Sequence, residues 1–280
     1  MARPGIQKHL DIACLLRCPH CGEPMHARQS DVACDQGHSY PVAAKGYLTL
    51  LDRVPALKGY DRAFFEARQR IFRAGHYRDL MDQVCLQVRR ALGNVDGVGT
   101  VVDAGCGEGA YTKAVQAACH SLTIGLDLAK DGIQCAARGG GEERWIVADL
   151  ASIPLADHAA DVIVNVFTPA NYAEFSRVLK PGGWLIKVVP AANHMRELRG
   201  LVQEHLARKT FDDHGVAEHM ERSFGLAERI RVTQTTPVAP LEATDLIKMS
   251  PVAFNMDEDS LDASTLGSIT VDAEILIART

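Results

Sequence analysis

The sequence lacks any apolar run of the ~20 residues that a transmembrane helix needs. Its first 17 residues also lack the apolar core and the small-residue cleavage site of a secretory signal peptide. Positive charge is not in excess, because 30 Lys and Arg stand against 35 Asp and Glu, for a net charge of −5. These absences argue against a membrane-spanning protein and against a uniformly basic nucleic-acid binder. We therefore expect a cytoplasmic protein, on which any nucleic acid must meet a local basic face.

Cysteine is scarce and unevenly placed. Eight cysteines occur in 280 residues, and four of them lie in the first 40. This number is low for a secreted domain held together by disulfides, and the clustering favours a metal site. At 47% hydrophobic residues, the chain is long enough for one large α/β domain and a second, smaller unit.

Residues 1–50 predict a small zinc-binding module. The segment is polar and rich in turns, so its own apolar content is too small to fold it. The spacing Cys18-x2-Cys21-x12-Cys34-x3-His38 places two ligand pairs on two tight turns, and zinc prefers four such ligands in a tetrahedron. Four protein ligands leave no open position, so we expect a structural ion. Three further residues remain as substitute ligands: Cys14, His20 and His26.

Residues 51–95 predict a helical linker or cofactor lid. Apolar residues recur at three-to-four spacing from Asp61 to Leu92, as in two amphipathic helices interrupted at Gly75. Cations and aromatic rings alternate there: Arg62, Phe64, Phe65, Arg68, Arg70, Phe72, Arg73, Tyr77 and Arg78. This spacing fits an RNA-facing surface, and it fits equally a helix with core aromatics and solvated arginines.

Residues 96–280 predict a doubly wound, mostly parallel α/β sheet. Strands expected at 100–102, 122–128, 145–147, 161–167 and 184–189 alternate with helices expected at 111–119, 130–138 and 173–179. Two later segments, 230–235 and 269–278, predict a closing pair of strands. Residues 257–262 are expected to form a solvated acidic loop.

A glycine-rich turn follows the first of these strands and opens a helix, which is where an open α/β sheet binds its ligand. Gly105 and Gly107 permit close approach of the backbone, although the same spacing also fits a dinucleotide fingerprint. Asp103 and Glu108 decide between the two, because carboxylates repel a pyrophosphate and attract a cationic ligand. The turn therefore favours S-adenosylmethionine over NAD, with Asp103 near its ammonium group.

The ends of the next two strands offer further cofactor contacts. Asp127 ends one strand, where a carboxylate can accept both ribose hydroxyls. Asp149, followed by Leu150, ends the next strand, where an adenine would lie, and Asp149 suits a helix N-cap nearly as well. Cys106 is expected to line the pocket without a redox role.

Taken together, these motifs resemble the bacterial 23S ribosomal RNA guanine-N1 methyltransferases, some of which confer macrolide resistance. The resemblance rests on the zinc spacing, Lys45-Gly46-Tyr47, Ala67-Arg68, Gly75-His76-Tyr77, the turn at 103–109 and the segment 179–184. It implies a class I methyltransferase (Rossmann-like) fold, S-adenosylmethionine, zinc on the four predicted ligands and an rRNA hairpin as substrate. It also implies cofactor contacts at Tyr77, Cys106, Gly107, Asp127 and His194. A homodimer is a separate expectation, which the sequence does not decide.

Two segments depart from the family pattern, Gly59-Tyr60-Asp61 and Thr168-Pro169-Ala170-Asn171, and the second would line the acceptor base. The polar residues nearest to it, Asn165, Thr168 and Asn171, include no good base, so no catalytic residue is assigned. Two alternatives therefore stay open: a small-molecule methyltransferase and a non-catalytic, zinc-bearing RNA-binding protein.

Overall fold

The computed structural model describes residues 4–93, 95–202, 214–251, 254 and 261–280. The N-terminal unit consists of helix α1 (Pro4–Leu10), a 3-10 turn (Ala13–Leu15) and strands β1 (Met25–Arg28), β2 (Asp31–Cys34) and β3 (Ser39–Pro41). The three strands form an antiparallel sheet in the order β1-β2-β3. The next strand, β4 (Leu48–Thr49), joins the main sheet instead, where it pairs in parallel with residues 146–147.

The main sheet has eight strands among the described residues. After β4 these are β5 (Thr100–Ala104), β6 (Leu122–Asp127), β7 (Arg144–Val147), β8 (Ala160–Val166), β9 (Leu179–Pro190), β10 (Leu226–Pro237) and β11 (Ser268–Arg279). Their order is β10-β11-β9-β8-β5-β6-β7-β4, and β11 is antiparallel to both of its neighbours. The predicted mostly parallel sheet and the predicted closing strand pair are thus confirmed.

Helices cover both faces of this sheet. They are α2 (Arg62–Ala74), α3 (Arg78–Leu92), α4 (Ala110–Cys119), α5 (Lys130–Ala137), α6 (Tyr172–Val178), α7 (Arg196–Leu201), α8 (His214–Phe224) and α9 (Pro240–Lys248). The side chain of Asp61 caps α2 by accepting the N–H of Phe64, and Gly75, at φ +92°, ends it. The predicted interruption at Gly75 is confirmed. No helix in the described ranges is long and apolar enough to cross a bilayer.

Strand β9 begins earlier than the sequence predicts. It starts at Leu179, paired with Ala160, and its next pair is Trp184 with Val162. The glycine-rich turn at 181–183 is therefore an irregularity inside the strand, made possible by Gly182 at φ +78°. The turn residues were correctly identified, but they interrupt the ladder without ending it.

The N-terminal unit and the main sheet share one buried apolar cluster. Leu16 and Val32 of the unit belong to the same cluster as Ile124 and Leu126 of β6. A backbone bridge joins Leu16 to Leu155. This continuity supplies the apolar burial that the first 50 residues lack by themselves. Of the expected acidic loop, residues 257–260 lie outside the described ranges.

Candidate metal centre and active site

The structure brings the four predicted metal ligands together. The ligand atoms of Cys18, Cys21, Cys34 and His38 all lie within 4.8 Å of one another. The Sγ atoms of Cys21 and Cys34 are 3.6 Å apart, and His38 Nδ1 lies 3.3 Å from Cys34 Sγ and 3.6 Å from Cys18 Sγ. A zinc tetrahedron with bonds of about 2.0–2.3 Å places its ligand atoms about 3.3–3.8 Å apart. The donor set and its spacing therefore fit one zinc ion with no open coordination position.

In the tight turns of this cluster, backbone N–H groups point toward the sulfur atoms. The N–H groups of His20 and Cys21 donate to the sulfur of Cys18, and Gly22, at φ +77°, closes the turn through a bond to the Cys18 carbonyl. Such N–H groups stabilise thiolate charge and fix the direction of each ligand. The predicted tight turn at the first ligand pair is confirmed.

The three substitute ligands lie outside the cluster. Cys14 is exposed. His20 Nδ1 lies 3.3 Å from a carboxylate oxygen of Asp52, and His26 Nε2 lies 3.8 Å from one of Asp35. The ring of His20 packs against the ring of His38, with centroids 4.3 Å apart, so it supports a ligand and does not replace it.

The cofactor loop (residues 105–109) lies at the carboxyl end of β5. All three of its glycines have positive φ, at +88°, +55° and +79°. A Cβ on Gly105 would lie 2.4 Å from the Cγ2 of Thr168, and one on Gly109 would lie 2.4 Å from the ring of Trp145. Both positions therefore require glycine for conformation and for space. The result is a cradle of bare backbone at the ligand-binding edge of the sheet.

Asp127 is fixed beside this loop. One carboxylate oxygen accepts the N–H of Gly107 at 2.7 Å, and the other accepts the N–H of Ala129 at 2.7 Å. Burial raises the pKa of this carboxyl group. Each oxygen retains a lone pair, so the oriented carboxylate fits a pair of sugar hydroxyls. Its role as a ribose ligand stays a prediction.

The acids that bracket the glycines have different environments. Asp103 is 3% exposed and accepts the hydroxyl of Thr112 at 2.6 Å. Burial raises the pKa of Asp103 to about 7, and the nearby carboxylates of Asp127 and Glu108 add to this rise. Glu108 forms a buried ion pair with Arg68 of α2 at 2.8 Å. This corrects the expectation for Glu108: its charge is neutralised within the protein, so Asp103 and Asp127 remain as the acids that could attract a cation.

Tyr77 and His194 meet on one side of the same edge. Their ring centroids are 6.3 Å apart, and Phe167, just after β8, lies 4.8 Å from His194. His194 Nδ1 accepts the N–H of Asp272 at 3.3 Å, and burial lowers the pKa of His194 to about 4. The imidazole is therefore neutral, with its proton on Nε2. Burial also raises the pKa of Tyr77 to about 12, so the phenol stays protonated.

Asp149 and Leu150 are half-buried after β7. An oxygen of Asp149 accepts the N–H of Ala151 at 2.8 Å, which closes a turn, and no helix begins there. The helix N-cap alternative for Asp149 is wrong, since the segment lacks helical continuation. The predicted contact with an adenine remains a prediction. Cys106, predicted as a pocket wall, is 8% exposed.

The aromatic rings of the arginine-rich segment do not form part of an RNA-facing surface. Phe64, Phe65, Phe72 and Tyr77 are at most 9% exposed and belong to the apolar core. Three of the five arginines carry acidic partners: Arg62 pairs with Glu66, Arg68 with Glu108 and Arg70 with Asp245. Arg73 and Arg78 are exposed. The rings are therefore core residues, as the second interpretation expects, and RNA contact by the exposed arginines stays a prediction.

The acceptor loop (residues 168–171) follows β8 and faces the cofactor loop through Thr168. Asn171 caps α6 by accepting the N–H of Glu174. Asn165 is fully buried, and its amide donates to the carbonyl oxygen of Ala104 at 2.7 Å. It also accepts from Lys187 of β9, a residue that the sequence reasoning missed. The only sequence signal was a lysine within an apolar strand.

Comparison with known proteins identifies the family. Residues 102–187 match the family model described as "Methyltransferase domain", and residues 16–53 match the zinc-ribbon model described as "RlmA, N-terminal". A Bacillus subtilis protein named "Putative 23S rRNA (guanine-N(1)-)-methyltransferase YxjB" is 32% identical over 94% of this chain and 96% of its own length. A Streptomyces fradiae protein named "23S rRNA (guanine(748)-N(1))-methyltransferase" is 33% identical over 88% of each chain.

Solved structures show the same fold. The chain of the "putative methyltransferase" in a complex with the Haloferax volcanii Trm112 activator superposes with a TM-score of 0.51. It covers 81% of this chain and all of its own, at 18% identity. The sequence similarity to the two named relatives covers both the segment with the zinc ligands and the methyltransferase domain. The chain therefore belongs to the family of 23S rRNA (guanine-N1)-methyltransferases.

Proposed function

We propose that this protein transfers a methyl group from S-adenosylmethionine to N1 of a guanine in a hairpin of 23S rRNA. The observation that carries the proposal is similarity over almost the whole chain to proteins named for this reaction. The geometry supports it, because a complete Cys3His cluster and an intact cofactor loop occur together in one packed unit. No contact in the described residues favours the small-molecule or the non-catalytic alternative.

The cofactor pocket would be formed by the carboxyl ends of β5, β6 and β7. Asp127 would accept the ribose hydroxyls, while Asp149 and Leu150 would border the adenine. Tyr77 and His194 would line the remaining wall, where His194 can donate from Nε2. Asp103 would lie beneath the cofactor loop, near the cationic end of the donor. When bound, S-adenosylmethionine supplies a methyl group on a positively charged sulfur.

The acceptor guanine must be unpaired or extruded, because its N1 lies on the Watson–Crick edge. The acceptor loop would border it with backbone groups and with the hydroxyl of Thr168. No side chain in this loop is a base, so the N1 proton leaves to water while polar groups stabilise charge on O6. Positioning then carries most of the rate.

The zinc module would stiffen a contact surface for the RNA. An rRNA substrate implies work in the cytoplasm, and the proposal includes a homodimer. Light scattering coupled to size-exclusion chromatography tests the homodimer directly.

A methyl-transfer assay with labelled S-adenosylmethionine tests the proposed function. We expect methylation of a 23S rRNA hairpin that contains position 748, mapped by mass spectrometry to N1 of one guanine. Asp127→Ala should lower the affinity for S-adenosylmethionine at least tenfold in calorimetry. Asp96→Ala changes an exposed carboxylate outside the site and should leave binding unchanged. Labelling of a metabolite panel in preference to rRNA would overturn the proposal.

A further inference from the structure

One lysine is buried in the main sheet beside the acceptor loop. Lys187 is 4% exposed, and its Nζ donates to Asn165 Oδ1 at 2.6 Å and to the carbonyl oxygen of Thr168 at 2.9 Å. Both acceptors are neutral, and within the described ranges no carboxylate pairs with this ammonium group. Burial lowers the pKa of Lys187 to about 8.

These contacts connect three strands at their carboxyl ends. Asn165 of β8 is the register partner of Lys187, and its amide donates to the carbonyl oxygen of Ala104, the last residue of β5. Ala104 directly precedes the cofactor loop. The second bond of Lys187 reaches Thr168, the first residue of the acceptor loop, whose side chain abuts Gly105. One ammonium group therefore connects both loops.

The fold alone does not require a lysine at this position. Its neighbours on β9, Ile186 and Val188, are fully buried and apolar. A methionine of similar length would pack there at a lower desolvation cost than an unpaired ammonium. Lys180, on the same strand, shows the usual alternative: it is 43% exposed and pairs with Asp161 at 2.8 Å. Costly buried charges of the Lys187 kind concentrate at functional sites.

We propose that Lys187 is a positioning residue for methyl transfer, which fixes the acceptor loop against the cofactor loop through Asn165 and the Thr168 carbonyl. This inference rests on the proposed methyltransferase function. In-line transfer needs the reacting atoms about 3–3.5 Å apart, and a displacement of about 1 Å costs about a hundredfold in rate. Both hydrogen bonds of Lys187 Nζ are to protein groups, so its effect falls on the alignment of the two loops and not on the affinities for RNA and S-adenosylmethionine.

Lys187→Met tests the proposal, because it removes the two hydrogen bonds while preserving length and apolar packing. We expect kcat to fall ten- to a hundredfold, with the KM values for RNA and S-adenosylmethionine within threefold of wild type. Lys187→Gln retains a donor and should recover part of the lost kcat. Lys180→Met, on the same strand at the opposite end of the sheet, should leave kcat unchanged. Thermal unfolding of all variants verifies that they fold.

The outcomes separate this inference from the function on which it rests. A wild-type protein that methylates no rRNA overturns the proposed function and this inference with it. An active wild type with an unchanged kcat in Lys187→Met overturns this inference alone. So does a loss that appears wholly in the KM values, since that would mean a role in binding. Should Lys187→Met fail to fold, the kcat of Lys187→Gln decides by the same criteria.

Discussion

At the scale of single residues, the buried carboxyl group of Asp103 should make the stability of the protein depend on pH. Burial raises its pKa from 3.8 to about 7. Between about pH 4 and pH 7 the unfolded chain has lost this proton while the folded protein still holds it. The free energy of unfolding of the cofactor-free protein therefore contains a contribution that is lost as the pH rises through this window.

Asp103→Asn removes this titration and retains an oxygen that can accept the hydroxyl of Thr112. We expect the unfolding temperature of the variant, relative to wild type, to rise steadily between pH 4 and pH 7. Scanning calorimetry at intervals of one pH unit measures the trend, with the exposed Asp96→Asn as control. A difference that stays constant with pH would show that Asp103 ionises normally in the folded protein.

Sequence reasoning located the site acids but not their partners. Strand ends are visible in the sequence, so Asp103 and Asp127 were placed correctly at the edge of the sheet. Glu108 was misjudged because its partner, Arg68, lies 40 residues earlier on a helix that docks from outside the sheet. Local sequence patterns do not show which distant side chain neutralises a buried charged group.

At the scale of elements, the N-terminal unit with the zinc ligands (the zinc ribbon) and the main sheet pack against each other. Met25 and Val32 of the ribbon pack in the same apolar cluster as Val102 and Ile146 of the parallel sheet. Strand β4 extends that sheet directly from the N-terminal segment. Loss of the metal should therefore destabilise both parts, although only the ribbon contains the ligands.

Cys34→Ala tests this coupling, because Cys34 ends β2 and is fully buried in the cluster. We expect loss of bound zinc by elemental analysis and one cooperative unfolding transition. A loss of about 3 kcal/mol would lower that transition by about 6–12 °C for a chain of this size. Cys14→Ala, at an exposed cysteine outside the cluster, is the matched control. Two separate transitions, with the larger one unmoved, would show that the units unfold independently.

Helices and strands can be predicted from the sequence where burial of one face imposes a regular spacing of apolar residues. Helices α2 and α3 are expected from the sequence because the apolar spacing and the interruption at Gly75 agree. Strand β4 was not, since two residues have no period and become a strand only through pairing with Ile146 and Val147. Helices α7 and α9 were also missed. They lie in segments of mixed composition, whose structure depends on packing against β11 and α2.

At the scale of the whole molecule, several arginines are already paired with carboxylates. Six arginine–carboxylate pairs link distant or neighbouring elements: Arg62–Glu66, Arg138–Glu66, Arg70–Asp245, Arg177–Glu174, Arg229–Glu274 and Arg231–Asp272. A guanidinium group that is already paired with a carboxylate contributes less free energy to the binding of a phosphate group. Together with the net charge of −5, this pairing weakens the non-specific attraction of the molecule to RNA.

Binding of the rRNA hairpin should therefore depend only weakly on salt. Each phosphate neutralised by a free cation contributes about −0.7 to −0.9 to the slope of log affinity against log salt concentration. We expect a slope no steeper than about −3 between 50 and 200 mM salt, measured by fluorescence anisotropy with a labelled hairpin. Arg62→Ala should leave it unchanged, because that guanidinium group already contacts Glu66 at 2.7 Å. A slope of about −6 or steeper would contradict this expectation, and it would mean that contacts to many phosphates dominate the recognition of the hairpin.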